Sequence, residues 1–186
     1  MTAAVKYTRT AIVLHWVIAV LIIANVVIGL SAEALPETWV RSAVDTHKSI
    51  GITVLGLAIL RLLWRFAHPA PPLPASYPAW ERIGAHAAHA ALYVVIFGLP
   101  LSGWLHDSAW NGAATHPMHL FGLIPWPRIA WLADLDPATK ERLHAQLFTV
   151  HWGFGLALYG LLAAHIIGAL KHQVIDREPE LQRMLP

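Results

Sequence analysis

Residues Phe148–Leu170 read FTVHWGFGLALYGLLAAHIIGAL, an apolar run broken only by the imidazoles of His151 and His165. A helix needs about 20 mostly apolar residues to cross the hydrocarbon of a bilayer. A lipid-buried backbone must also satisfy its own hydrogen bonds, which an α-helix does. The run is therefore expected to be a transmembrane helix. Fourteen steps at about 100° bring His165 back to within about 40° of His151, roughly 21 Å further along the axis. One stripe of this helix thus presents an imidazole near each membrane face.

Three further runs behave alike: Ala11–Leu30, His47–Leu63 with Arg61 near its end, and Ile83–Leu105. Ala70-Pro-Pro-Leu-Pro74 interrupts the chain between the second and third. Asp136-Pro137 reads as an N-cap followed by proline at the first helical position, so the fourth helix starts well before the lipid. The expected helices are about 11–30, 47–64, 82–106 and 137–172. Together they form one all-α, integral membrane four-helix bundle over residues 1–186. The composition agrees. Hydrophobic residues make up 56% and charged residues 13%, and mean hydropathy is +0.52, whereas soluble domains carry about 25% charged residues. Such a chain cannot cover a water-facing surface, so membrane lipid is its expected surrounding. The net charge of +2 comes with no strong basic patch, so nucleic acid is not an expected partner.

The first run has Lys6 and Arg9 before it and Ala32-Glu33-Ala34 after it, as a secretory signal does. Its apolar core is longer than a signal core, however, and it contains His15, so a retained helix is expected. Lys and Arg then set the orientation. Lys6, Arg9, Arg61, Arg65, Arg82, Lys171, Arg177 and Arg183 fall on one side. Only Arg41, Lys48, Arg128, Lys140 and Arg142 fall on the other, among most of the acids. Both termini are expected to be cytoplasmic, with the long segment His106–Leu147 facing the periplasm.

Ionisable groups inside a span are costly, and they mark function by default. His15 and His165 lie about one turn inside the cytoplasmic ends of the first and fourth helices. His47 and His151 lie at the periplasmic ends of the second and fourth. The four sort into two depths, two at each. Neutral imidazole is a good axial ligand for haem iron, and two per iron leave no open position for oxygen, which favours electron transfer. The absence of cysteine removes disulfides, iron–sulfur ligands, thiolate chemistry and covalent haem attachment. A small residue follows each histidine by one turn (Ala19, Gly51, Gly155, Ala169), where a flat ring would lie against the helix. Arg61 shares the depth of His15 and His165, and Lys48 that of His47; both are candidates for haem propionates. Arg65 is read as snorkelling to the surface. Asn25 is read as an interhelical hydrogen-bonding residue. His68, His106, His116 and His119 are read as solvated loop residues. His86 and His89 form an HxxH pair, a weak metal signal. His144 continues the stripe of His151 outside the hydrocarbon.

Several motifs then converge. They are Leu14-His15-Trp16, His47-Lys-Ser-Ile-Gly51, Arg61-Leu-Leu-Trp-Arg65, His89-Ala-Ala-Leu-Tyr93 and Leu101-Ser-Gly-Trp104. Phe121-Gly-Leu123, the His151/His165 spacing, Leu170-Lys-His172 and Leu181-Gln-Arg-Met184 complete the set. Over nearly the full length this pattern resembles the bacterial cytochrome b561 family of small di-haem membrane proteins. The resemblance implies two non-covalent b haems, one between His15 and His165 on the cytoplasmic side and one between His47 and His151 on the periplasmic side. It implies electron exchange with ubiquinone and, as in at least one member, oxidation of periplasmic superoxide. It makes Lys171 and His172 candidates for quinone contact. His116, His119 and His144 lie outside the family pattern, and no role follows for them or for His86 and His89. Superoxide:ubiquinone oxidoreductase activity, with Lys48, Arg41 and Arg142 attracting the anion, is one expectation. A haem-bearing membrane anchor for a separate dehydrogenase or soluble redox partner is the alternative. A histidine-lined metal or proton transporter explains the matched depths less well.

Overall fold

In the computed structural model, which describes residues 6–74 and 76–185, the four apolar runs are four long helices. They are α1 (Arg9–Ser31), α2 (Glu37–Ala67), α3 (Ala79–Ser108) and α5 (Pro137–Leu170). Each is long and apolar enough to cross a membrane. A 3₁₀ turn, Ala32–Ala34, closes α1. The segment between α3 and α5 holds a 3₁₀ turn (Asn111–Thr115), a hairpin of β1 (His119–Leu120) and β2 (Ile124–Pro125), and the short helix α4 (Ala130–Ala133). A π-helical turn, Lys171–Ile175, extends α5, and α6 (Glu180–Met184) ends the described chain.

The helix ends differ from a reading by hydropathy. α2 begins at Glu37 rather than near His47, with Pro36 at its N-cap. Its polar first turns are held by Arg41–Asp45 at 2.9 Å and by Thr46 Oγ1 donating to the Ser42 carbonyl. Charged pairs four apart support a helix in water, so the helix outlasts its apolar run. α3 and α1 are likewise longer at both ends than expected. α5 starts where the Asp136-Pro137 pair places it: Asp136 Oδ1 accepts from the N–H groups of Ala138 and Thr139 at 3.1 and 3.0 Å. Its regular α-geometry ends at Leu170, two residues before the expected His172, and gives way to the π turn.

The bundle faces lipid in plain stripes. Val13, Val20 and Val27, seven apart on α1, are 57–62% exposed, while Ile12 and Ile18 are 3% exposed. Trp39 and Trp131 at one end and Trp80 at the other are exposed, as interfacial anchors are. α1 packs on α2 through Ile18, Ile50 and Val54, and α3 packs on α5 through Leu92, Val95 and Leu158. Association inside lipid relies on close van der Waals contact between small residues and large ones. Gly98 is such a contact: a Cβ there would stand 2.6 Å from Phe154 Cζ. Gly98→Ala is expected to destabilise the protein by about 1–3 kcal/mol through overpacking, read as a lowered thermal unfolding midpoint in detergent.

The two ends of the bundle are closed differently. At the loop end, the β-hairpin lies on α2. Met118 and Leu120 pack on Ile52 beside Trp104 and Trp126. The hairpin turn carries φ of 51° at Phe121 and 71° at Gly122; glycine adopts this region freely and phenylalanine does not. The strained Phe121 N–H is tied down by Ser49 Oγ at 2.9 Å, two residues from His47. At the termini end, the tail folds back. Arg183 donates to the carbonyls of Pro71 and Pro72, its own carbonyl accepts from Tyr7 N, and the Trp16 indole donates to the Met184 carbonyl at 2.7 Å. The Leu181–Met184 motif therefore has a structural role, fastening the proline loop to the first helix.

Candidate functional site

The bundle brings the four intramembrane histidines together as two facing pairs. At the loop end the ring centres of His47 and His151 are 6.1 Å apart at 79°. At the termini end those of His15 and His165 are 6.2 Å apart at 90°. A metal–imidazole bond of about 2.0 Å, with roughly 1.1 Å from nitrogen to ring centre, puts two ring centres about 6.2 Å apart across one ion. Both pairs have that spacing.

The loop-end pair is oriented to ligate. His47 Nδ1–H donates to the Asn25 carbonyl at 3.1 Å, and His151 Nδ1–H donates to the Leu99 carbonyl at 3.0 Å, with Ser102 Oγ at 3.2 Å. A metal-bound histidine characteristically donates its other ring N–H in this way, which fixes the tautomer and leaves Nε2 free to coordinate. Two glycines make room for the rings. A Cβ on Gly29 would lie 3.0 Å from His47 Cε1, and one on Gly103 would lie 3.2 Å from His151 Cε1. A cavity of about 660 Å³ opens from this pair, lined by both histidines, Gly51, Gly155, Ile52 and Phe148. That volume is in the range of cofactor sites, and the small residues expected one turn from His47 and His151 do form its wall. Asn25 also lines the cavity and bonds between helices as expected, through its main chain. Its main-chain carbonyl holds His47, while its side-chain Oδ1 is buried without a partner. The donor set, the spacing and the apolar wall fit a flat, bis-imidazole iron group.

The termini-end pair is supported by charge instead. Arg61 Nη1 donates to His15 Nδ1 at 2.8 Å, which brings this arginine to the pair whose depth it shares. His89 stands beside His165, ring centres 5.3 Å apart at 63°. His86 Nδ1–H donates to the Arg82 carbonyl of its own helix, and His86 borders the same cavity as His89.

The other expected site residues fall into two ion-pair clusters. Lys48 lines the loop-end cavity, but Asp107 holds its ammonium at 2.6 Å, with Asp45 at 3.6 Å. Asp107 also accepts from Arg128 Nε at 2.9 Å, and Arg128 Nη1 closes the loop onto the carbonyls of Ala113 and His116. Arg41 is on Asp45, and Arg142 donates to Thr139 Oγ1 of its own helix. The pull on an anion is therefore weaker than a count of cations suggests, because two of the three are matched by carboxylates. At the other end, Lys171 contacts Glu81 and lies 2.9 Å from Asp176. His172 Nδ1–H donates to Asp176 at 2.7 Å, and its ring stacks on Tyr77 at 4.2 Å. The hydrogen bonds from Lys171 first, and from His172 after it, hold the Asp176 carboxyl below its ordinary range against desolvation.

Two histidines depart from their expected solvation. His106 ends α3 half-buried and stacks on His144 at 3.8 Å, each Nδ1–H donating to the other's main-chain carbonyl. His119 pairs within the hairpin, half-buried. His68 and His116 are exposed, as expected. Reading the sequence missed Gly29, the Leu99 carbonyl, Asp107 and Glu81, and quoted Gly103 in Leu101-Ser-Gly-Trp104 without a role. A glycine seven residues beyond the mid-span Ile22 carries no signal of its own, and a main-chain carbonyl carries none at all.

The family model described as prokaryotic cytochrome b561 matches residues 6–186. The chain is 34% identical over 183 residues to cytochrome b561 homolog 2 of Escherichia coli (strain K12), covering 97% of this chain and 91% of that one. It is 26% identical over 185 residues to cytochrome b561 homolog 1 of the same organism, covering 97% of each. It is 27% identical over 190 residues to the probable superoxide oxidase CybB of Yersinia pestis, covering 97% of this chain and 96% of that one.

Proposed function

We propose, for a chain that belongs to the prokaryotic cytochrome b561 family, that its two histidine pairs hold two b haems and that it passes electrons between them to ubiquinone. Membership makes it a bacterial membrane electron-transfer protein that binds b-type haem. The observation that carries the finer reading is the repeated one-ion spacing, 6.1 and 6.2 Å, at opposite ends of one bundle.

In this reading His47 and His151 hold the loop-end haem, and His15 and His165 the termini-end haem. Bound haem would supply a one-electron iron couple. The chain's own residues do the rest. The Asn25 and Leu99 carbonyls hold the proton of each loop-end imidazole on Nδ1. A His15 that held the group through Nε2 would carry its proton on Nδ1 and offer Arg61 no lone pair there, so Arg61 would be the residue to pair with a propionate. Lys48, held by Asp107, is the weaker propionate partner. Lys171 and His172 offer donors to a quinone at the rim. The charge bias supports cytoplasmic termini in an inner-membrane protein, with the loop end in the periplasm.

The name of the Yersinia pestis relative supports superoxide as the donor. Two superoxide anions then each give one electron and leave as dioxygen, and one quinone takes two electrons and two protons to become quinol. Purified protein mixed with superoxide is expected to show rapid haem reduction in stopped flow, followed by quinol formation. Slow or absent haem reduction would remove the superoxide reading. Co-purification with a stoichiometric redox partner, in a protein inactive alone, would favour the membrane-anchor alternative.

A further inference from the structure

The loop-end histidines each anchor Nδ1–H on a main-chain carbonyl. The termini-end pair has no such anchor. Arg61 occupies Nδ1 of His15, and among the described residues neither His165 nor His89 makes a hydrogen bond. What stands beside His165 instead is the half-buried ring of His89. We infer that His89 is the positioning residue of the termini-end site: a ring nitrogen of His89 accepts the Nδ1–H of His165, doing for that ligand what carbonyls do at the loop end.

This rests on the proposed haem reading and adds a residue to it. An N–H···N hydrogen bond of about 2.9 Å between two imidazoles sets their ring centres a little over 5 Å apart; the separation found is 5.3 Å. The same distance is too short for His89 to be an axial ligand opposite His165, whose one-ion partner at 6.2 Å is His15. The rings meet at 63°, and the terminal torsion of histidine is broad enough to turn one nitrogen toward the other. Arg61 and Arg65 lie on the neighbouring α2, and Ala85, Ala90 and apolar Leu62 wall the cavity that His89 borders. Tyr93, one turn on, has a buried hydroxyl without a partner. Arg65 and His86 border the same cavity.

A ligand whose N–H is accepted by a neighbour is more basic and stabilises ferric iron. The test uses the full-length holoprotein in detergent, as His89→Leu and His89→Gln. Leu removes the acceptor, and Gln keeps an amide oxygen that can accept. In His89→Leu the low-spin ferric EPR signal of one centre is expected to change and its midpoint to rise. Its haem should pass to a scavenger about 10- to 100-fold faster, the usual cost of losing an outer-shell partner. The other centre should stay put, and His89→Gln should return the altered values toward wild type. Two unmoved centres in His89→Leu, or equal changes in both, overturn the inference. Two haems in the wild type, with one lost in His165→Ala, test the underlying reading separately. A failure there shows in those proteins and not in the His89 variants.

Discussion

His151→Ala is expected to halve the haem content, from two per chain to one, with the surviving centre spectrally unchanged. The ring of His151 is held from behind by the Leu99 carbonyl and Ser102, and from the side by Gly103. Alanine removes the axial nitrogen and leaves a gap in a wall whose shape depends on that ring. On the proposed ligand assignment, a haem left with His47 alone would have lost one of its two protein ligands. His165 lies roughly 21 Å further along the same helix, beyond the range at which effects of two sites couple. The reciprocal change, His165→Ala, should spare the loop-end haem. Haem-to-protein ratios and reduced-minus-oxidised spectra of the two variants read this directly. If each variant loses both haems or neither, the assignment of ligands to two separate centres is wrong.

Asp107→Ala should be the most damaging change outside the histidines. Asp107 is 5% exposed and takes both Lys48 at 2.6 Å and Arg128 at 2.9 Å. A buried pair adds little net stability when intact, but removing one partner strands a charge and costs about 3–5 kcal/mol. Here two cations are stranded, though Asp45, already 3.6 Å from Lys48, can take up part of one. The lower end, about 3 kcal/mol, is therefore expected, as a fall in the thermal midpoint in detergent. Arg128 also holds the carbonyls of Ala113 and His116, so the loop over the cavity should become accessible to protease in the same variant. Asp107→Asn keeps an acceptor and should cost about half as much or less. An unchanged midpoint in Asp107→Ala would mean that the triad does not fasten the loop.

The legible part of the fold was its lipid-spanning content. Uncharged runs around Ala11–Leu30 and Phe148–Leu170 report on an environment, because lipid punishes every charge along them. Water does not punish an apolar gap in the same way, so the polar start of α2 from Glu37 to Thr46 was invisible to hydropathy and was held by side-chain pairs instead. The site was legible to the same extent. His15, His47, His151 and His165 stood out because an imidazole in an apolar run needs a reason. Their supports did not stand out, since Gly29 and Gly103 are ordinary in a membrane helix and act only through the helix they face.

Length, hydropathy and spacing along one chain determined that four helices cross a membrane and that imidazoles lie at two depths, because those properties repeat along a single axis. Which ring meets which, what holds each Nδ1, and whether Lys48 is free or matched by Asp107 depend on helix rotation and on loop contacts between residues far apart in sequence. Only the packed bundle decided these, because a few degrees of rotation move a side chain from a lipid face to a neighbour's carbonyl while leaving the one-dimensional pattern unchanged.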